Sequence, residues 1–173
     1  MTAFVALLRA VNVGGTGKLP MATLKSLCED CGFADVATYI ASGNVVFTAR
    51  KSEAAVQKAL VAALAGYAGK PVGVLVRTAA EMAAVLARNP FAEAPPNRVV
   101  AIFLDAPPPA DGLARASHVK DERLALGTRE IYVHYGDGMA DSRLKIPAAA
   151  AGTARNINTV ARLAQMAAAL DGR

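Results

Sequence analysis

Apolar and polar residues follow one another in blocks whose spacing predicts a strand and then a helix at the start of the chain. Residues 4–8 are a continuous apolar run, and the polar, glycine-rich residues 9–18 come directly after it. That succession is typical of a buried strand that enters a loop. From about Pro20 to Cys31 apolar residues recur at helical spacing, and Gly32 then provides a natural left-handed end.

The next blocks predict a hairpin, a long helix and a further strand. Two β-rich runs, residues 36–41 and 45–48, flank the tight turn Ser42-Gly43-Asn44. Apolar residues at helical spacing predict a helix from Ser52, which is placed to cap it, to about residue 66. Residues 71–77 are rich in valine and predict the next strand. The order of elements up to Thr78 is therefore βαββαβ.

The second half predicts a similar order of elements. A helix is expected over residues 79–88, with Thr78 as its cap, and Asn89-Pro90 ends it. A proline-rich connection follows the next strand and leads into an alanine-rich turn or short helix that ends near Ser117. The remaining expected elements are strands at 97–105, 122–126 and 129–135, a short helix at 141–145 and a final helix at 156–170.

The repeated order predicts an α+β fold of two ferredoxin-like βαββαβ-type units, a duplicated split βαβ unit packed into one body. The expected domains are residues 1–78 and residues 79–173, the second with an extra helix and a C-terminal helix. In such a unit the strands lie in the order 4-1-3-2, and strands one and three are antiparallel neighbours. The loop that contains Asn12 and the turn at residues 42–44 are therefore expected to share one rim of the first sheet.

Composition indicates a folded globular protein with a modest positive charge. The chain has 173 residues, of which 54% are hydrophobic and 19% are charged, and its formal net charge is +5. This composition excludes a disordered chain. The charge is compatible with an anionic partner, but lysine and arginine form no run.

No stretch approaches the roughly 18 uninterrupted apolar residues of a membrane span, and Arg9 interrupts the N-terminal run too early for a signal peptide. The sequence predicts a cytoplasmic protein. Cys28 and Cys31 lie at the end of a predicted helix, where the dipole disfavours a thiolate, and no second pair completes a metal site. We expect them to be structural, and we expect no metal and no cofactor.

Several blocks along the chain form one recognisable pattern: residues 6–15, 21–24, 32–47, 89–91, 131–132, 142–144 and 153–160. Together they resemble a known bacterial family, domain of unknown function 1697. Small departures include Arg143 and Arg162, which stand where the family usually has lysine and which keep the charge. The resemblance implies paired ferredoxin-like units. It implies no activity, because none is known for the family, and no catalytic residue is assigned.

The glycine-rich residues 14–18 invite comparison with phosphate-binding loops. The P-loop pattern requires glycine at Asn12 and serine or threonine at Leu19, so it is not met. A strand-to-helix turn still offers backbone N–H groups beside a positive helix end and Lys18. An anion-binding loop and a plain flexible connection both remain open.

The C-terminal block concentrates polar residues at a predicted helix entry. Arg155, Thr159 and Arg162 fall at helical spacing on one side, which would let Arg155 and the first amides of the helix bind an anion. A cap followed by a solvated face is the alternative. His118 and His134 are isolated, which gives little support to a nucleophilic triad.

The leading hypothesis is that the protein binds, and could turn over, a small phosphorylated or carboxylated molecule in a polar cleft at the sheet ends. Alternatives are a nucleic-acid-associated factor and an interaction or dimerisation module, with monomer and homodimer both open. Base stacking is not favoured, because only Phe4 and Phe47 are available on the relevant strands. The candidate ligand-binding residues are Arg9, Asn12, Lys18, Ser42, Asn44, Lys145, Thr153, Arg155, Asn156, Asn158 and Thr159.

Overall fold

The computed structural model describes residues 1–9, 18–136 and 139–171, and within them the fold is α+β with two four-stranded antiparallel sheets and four α-helices. Asn12 and the glycines of residues 14–17 lie outside the described residues, as does residue 137. The predicted fold class is confirmed.

The first sheet contains four strands with two helices between them, in the predicted order βαββαβ. These elements are β1 (Thr2–Leu8), α1 (Met21–Asp30), β2 (Ala34–Thr38), β3 (Asn44–Ala49), α2 (Glu53–Ala68) and β4 (Val74–Thr78). The strands lie in the order β2-β3-β1-β4, which is the predicted 4-1-3-2 arrangement. In the antiparallel pair of β1 and β3, Leu7 faces Asn44 across the ladder.

Local sequence explains where α2 begins and ends. Ser52 caps the helix, since its hydroxyl accepts a hydrogen bond from the Ala55 N–H at 3.2 Å. The helix continues past the predicted end at residue 66 to Ala68 and stops at Gly69, whose φ is 71°. On the inner side of the helix, Leu60 is fully buried.

One face of the first sheet packs with α1 and α2 into a large apolar core. Phe47 of β3 and Phe33 stack with their ring centroids 4.3 Å apart, and Leu24 of α1 and Leu60 of α2 are fully buried in the same cluster. Val5 and Leu7, which point to the other face, are also fully buried. Both faces of this sheet are therefore covered.

The second sheet repeats the strand order of the first. Its elements and the helices that flank it are α3 (Ala79–Ala87), β5 (Val99–Phe103), β6 (Arg123–Leu126), β7 (Glu130–His134), β8 (Thr153–Asn156) and α4 (Ile157–Leu170). The strands lie in the order β6-β7-β5-β8, so β8 occupies the position that β4 has in the first sheet. Thr78 caps α3 as predicted, because its hydroxyl accepts a hydrogen bond from the Glu81 N–H at 3.2 Å.

Two predictions for the second half were wrong. Residues 141–145 form no α-helix, and only one 3-10 turn, Met139–Asp141, is found there. Thr153–Asn156 is a strand rather than the entry of a helix, and α4 begins at Ile157. Thr153 pairs with Phe103 of β5. Because residues 153–156 are paired in the sheet, the helix begins only after them.

The segments between the strands of the second sheet are irregular in the described residues. Turns connect β5 to β6, and 3-10 turns lie between β7 and β8. Apolar residues of both segments, Leu113 and Leu144 among them, pack on a small cluster of Leu104, Ile131 and Val133. The two segments also meet in one short bridge between Ser117 and Lys145.

The chain divides into two compact units, residues 1–82 with 162–173 and residues 83–161. The boundary expected from the order of elements, at Thr78, stays a prediction. All strands of the first sheet lie at or before Thr78 in the chain, and all strands of the second sheet lie after it. In the described part of the chain, we find no helix with both the length and the apolar character to cross a membrane.

Candidate functional site

Arg9 lies at the C-terminal end of β1 and is exposed. Its backbone N–H donates a hydrogen bond to the Gly73 carbonyl at 2.9 Å, just before β4. Its side chain runs over Gly73, because a Cβ placed on that glycine would lie only 3.1 Å from Cβ of Arg9. The glycine therefore lets the arginine side chain approach the backbone closely.

The loop between β2 and β3 lies beside the end of β1. Leu8 donates its backbone N–H to the Gly43 carbonyl at 2.8 Å. Asn44 is fully buried, and its Nδ2 donates to the Tyr39 carbonyl at 2.9 Å and to Ser42 Oγ at 3.0 Å. The shared position predicted for strand one and the turn is thus confirmed at these residues. Asn44 holds the loop together, whereas Ser42 is exposed.

We call the end of the first sheet formed by Arg9, Lys18, residues 39–44 and residues 70–73 the Arg9 rim. β1 and β2 end here, β3 and β4 begin here, and α1 starts two residues after Leu19. The charged side chains of its described residues are Arg9, Lys18 and Lys70, all exposed, with no carboxylate among them. The positive end of the α1 dipole adds to this charge.

The opposite end of the first sheet has a different charge pattern. It contains the end of α1, the start of β2, the end of β3 and the start of α2. Acidic and basic residues are mixed there, and they include Glu29, Asp30, Asp35, Arg50, Lys51 and Glu53. Among the residues that the structure describes, the charged side chains of the Arg9 rim are therefore all basic, whereas the opposite end of the sheet carries both signs of charge.

The C-terminal candidates lie in the second unit. Arg155 of β8 is buried, and its Nη1 donates to Thr153 Oγ1 at 2.7 Å and to the Ala154 carbonyl at 2.9 Å. Burial lowers the pKa of the Arg155 guanidinium to about 10. The expected row of Arg155, Thr159 and Arg162 along one side of a helix is wrong, since Arg155 belongs to a strand.

The remaining candidates of this block have simple local roles or are exposed. Asn156 caps α4, because its Oδ1 accepts a hydrogen bond from the Thr159 N–H at 2.9 Å. Thr159 is buried and Asn158 is exposed. Lys145 is exposed, and its backbone N–H donates to the Ser117 carbonyl at 3.0 Å. As ligand contacts, these residues stay predictions.

A polar cleft of about 1020 Å³ opens between the two irregular segments of the second unit. Its lining comprises His118, Val119, Lys120, Asp121, Glu122, Tyr135, Ala140, Asp141, Ser142 and Arg143. Ser142 Oγ donates to Glu122 Oε1 at 2.7 Å, and the Lys120 N–H donates to Glu122 Oε2 at 2.7 Å. These two bonds lower the pKa of the Glu122 carboxyl, led by the one from Lys120. The lining mixes both signs of charge.

The cysteines belong to the core of the first unit. Cys28 is fully buried in the apolar cluster, and Cys31 is half-buried and lies at the C-cap of α1. Burial, followed by the charges of Cys31 and Glu29, raises the pKa of the Cys28 thiol to about 12. A thiol of this kind is a packing group rather than a nucleophile. Over the described ranges, no group of three or more His, Cys, Asp or Glu side chains could hold a metal ion.

Phe4 and Phe47 are buried under the helices that cover the first sheet. Their ring centroids lie 6.1 Å apart, and neither ring presents a face to solvent. Recognition of nucleic acid by stacking requires exposed aromatic rings on the sheet. This pair does not provide them.

Comparison with known proteins identifies the family. A family model described as "Protein of unknown function (DUF1697)" matches residues 1–132. The chain belongs to this family. The resemblance in the sequence is thereby confirmed, although the blocks at residues 142–144 and 153–160 lie beyond the matched range.

A solved structure has the same fold. It is that of the conserved bacterial protein SP0830 from Streptococcus pneumoniae, with 24% sequence identity and a TM-score of 0.79. The similarity covers 96% of this chain and 98% of that one. A search of the curated proteins found no match.

Sequence reasoning missed Lys70 and Gly73 on the Arg9 rim. The order of elements could have predicted the position of Lys70, because the helix between β3 and β4 must return the chain to the end of the sheet where β4 begins. Lys70, in the short connection from α2 to β4, therefore had to lie at that end. The cleft of the second unit left no comparable signal, since its residues come from irregular segments whose path no periodicity predicts.

Proposed function

We propose that the protein binds a small anionic molecule, phosphorylated or carboxylated, at the Arg9 rim. The observation that carries this proposal is the positive charge of the rim, since Arg9, Lys18 and Lys70, all exposed, lie at one end of the first sheet. Like charges at one end of a sheet repel one another, and a bound anion relieves that repulsion.

The rim also supplies groups that can orient an anion. The guanidinium of Arg9 is suited to two parallel hydrogen bonds with a carboxylate or phosphate. Ser42 offers an exposed hydroxyl next to the Gly43 carbonyl that binds Leu8. The first turn of α1 contains no acidic side chain, and its N-cap Pro20 makes no side-chain capping bond. Its amides point toward the same end of the sheet.

The rest of the predicted ligand-binding set has a lesser part in this proposal. Asn44 acts by holding the loop that presents Ser42, through its bonds to Tyr39 and Ser42. Asn12 and the residues of the second unit, from Lys145 to Thr159, stay predictions as ligand contacts. Turnover of the ligand also stays a prediction, and no catalytic group is assigned.

The proposal is tested by titrating the protein with inorganic phosphate, nucleotides, sugar phosphates and small carboxylic acids. Binding is followed by amide chemical shifts in NMR spectra and by thermal shift. We expect the amides of residues 8, 9 and 42–44 to move. Arg9→Met, which keeps the alkyl chain and removes the charge, is expected to weaken binding about tenfold or more, the effect of losing a charged hydrogen bond.

Arg50→Met is the matched control, because Arg50 is also exposed and lies at the opposite end of the first sheet. This variant should bind as tightly as the unaltered protein. Equal losses in both variants would mean that only net charge matters, and the proposal would be wrong. An assay of fluorescence anisotropy with RNA and DNA at low salt tests the nucleic-acid alternative, since such binding weakens steeply as salt rises.

A further inference from the structure

Ile40, in the loop of the Arg9 rim, has an unusual backbone conformation. Its φ is 54°, in the left-handed region, and its side chain is 50% exposed. A β-branched residue at positive φ is an outlier, because its Cβ crowds the backbone. Asp35 and His118 also have positive φ, but aspartate and histidine tolerate this conformation better.

The loop enforces this conformation through hydrogen bonds on both sides of Ile40. Tyr39, directly before it, donates its N–H to the Asn44 carbonyl at 3.0 Å. The Tyr39 carbonyl, which belongs to the peptide that enters Ile40, accepts from Asn44 Nδ2 at 2.9 Å. The same Nδ2 donates to Ser42 Oγ, two residues after Ile40. Asn44 is fully buried, so its hydrogen bonds hold the loop in this conformation from inside the protein.

A single exposed apolar side chain is ordinary on a protein surface. Ile40 differs because the fold keeps it half-exposed in a strained backbone conformation, in a loop at the same end of the sheet as Arg9. A glycine or asparagine would adopt the same backbone with less strain. Residues with strained backbone conformations cluster at active sites and ligand-binding sites.

We infer that the ligand of the Arg9 rim is an anion with an apolar body, and that Ile40 contacts that body while Arg9 binds the charged group. The inference rests on the proposed anion site and specifies its ligand class. The class is an aromatic or aliphatic phosphate or carboxylate, in contrast to inorganic phosphate or a bare sugar phosphate. Ile40 then provides specificity, and Asn44 positions it.

The test compares inorganic phosphate with phenyl phosphate, which adds an apolar ring to the same anion. We expect phenyl phosphate to bind the unaltered protein more tightly and to shift the Ile40 methyl resonances. Ile40→Gly should weaken phenyl phosphate about fivefold, the effect of losing a partly buried isoleucine contact. Binding of inorganic phosphate should weaken much less than binding of phenyl phosphate.

The same variant has a second readout that does not depend on any ligand. Ile40→Gly relieves the strained φ, so its melting temperature should rise by about 2–4 °C. Val61→Ala is the control, because Val61 is an exposed apolar residue within the regular helix α2. It should change neither the melting temperature beyond about 1 °C nor the binding of either probe.

The outcomes separate this inference from the proposal on which it rests. If both probes bind equally and both depend on Arg9, the anion site stands and the inference about the apolar body is wrong. An unchanged affinity of Ile40→Gly for phenyl phosphate would also overturn it. If neither probe binds at the rim, the proposed anion site and the inference fail together.

Discussion

The two sheets of this protein have the same strand order but different covering layers. In the first sheet, α1 and α2 connect the strands and bury a core that includes Leu24, Phe47 and Leu60. In the second, turns and 3-10 segments make the corresponding connections over a much smaller buried cluster. The strand order therefore does not depend on the crossover helices.

The comparison shows what the helices add. Where two helices pack together on the first sheet, the second unit has two irregular segments with a polar cleft between them. The segments are tied by the Ser117–Lys145 bridge and by the bond from Ser142 to Glu122. Helices provide burial, whereas irregular segments leave space and expose polar groups.

The largest expected effect comes from removing a covering side chain of each sheet. Leu60→Ala should lower the free energy of unfolding by about 2–5 kcal/mol, because it leaves a cavity in a fully buried site. Leu144→Ala should cost only about 1 kcal/mol, since Leu144 is half-buried in an irregular segment. Urea denaturation followed by circular dichroism measures both. Equal losses would mean that the two covering layers contribute equally to stability.

A smaller effect is expected at the helix entries of the two halves. Ser52→Ala and Asn156→Ala each remove a cap and should each cost about 1 kcal/mol of unfolding free energy. Asn156→Ser, which keeps a capping group, should recover most of this stability. The affinity of the Asn156 variants for inorganic phosphate and phenyl phosphate tests the separate prediction that Asn156 contacts the ligand. If Asn156 only caps the helix, the affinity stays the same in both variants.

The smallest expected effect is a pH dependence of stability at the hydrogen bond between Ser142 and Glu122, which joins the two irregular segments. The folded-state pKa of Glu122 is lowered by its bonds to the Lys120 N–H and Ser142. Its stabilising contribution is therefore present above the pKa of the unfolded chain and is lost as the pH falls through the folded-state pKa. The melting temperature of Glu122→Gln should lie below that of the unaltered protein at pH 7, and the gap should close toward pH 3. A gap independent of pH would exclude an ionised Glu122 as its cause.

Much of the first unit could be predicted from the sequence because its signals are local and agree with one another. Apolar spacing, the Ser52 cap and the turn at residues 42–44 specify the elements, and the strand order then follows from the split βαβ arrangement. That order places the end of β1 beside Asn44, as the pairing of Leu7 with Asn44 confirms.

The second unit was harder to predict for a physical reason. Thr153–Asn156 carries polar residues that suit both a helix cap and a strand edge, and only its distant partner β5 decides between them. Apolar and polar residues do not alternate regularly in the irregular segments, so neither the path of these segments nor the cleft between them could be predicted from the sequence. The strain at Ile40 was equally hidden, because it arises from the side chain of Asn44 holding the loop.

Gly73 shows how a residue without a side chain can determine the position of a cation. The side chain of Arg9 lies against it, and a methyl group there would come within 3.1 Å of Cβ of Arg9. An alanine at this position would push the arginine away by a few tenths of an ångström, while leaving every charged group in the chain intact. If Arg9 binds an anion as proposed, an alanine scan would count Gly73 among the positions that change the affinity, although it has no side-chain atom with which to touch a ligand.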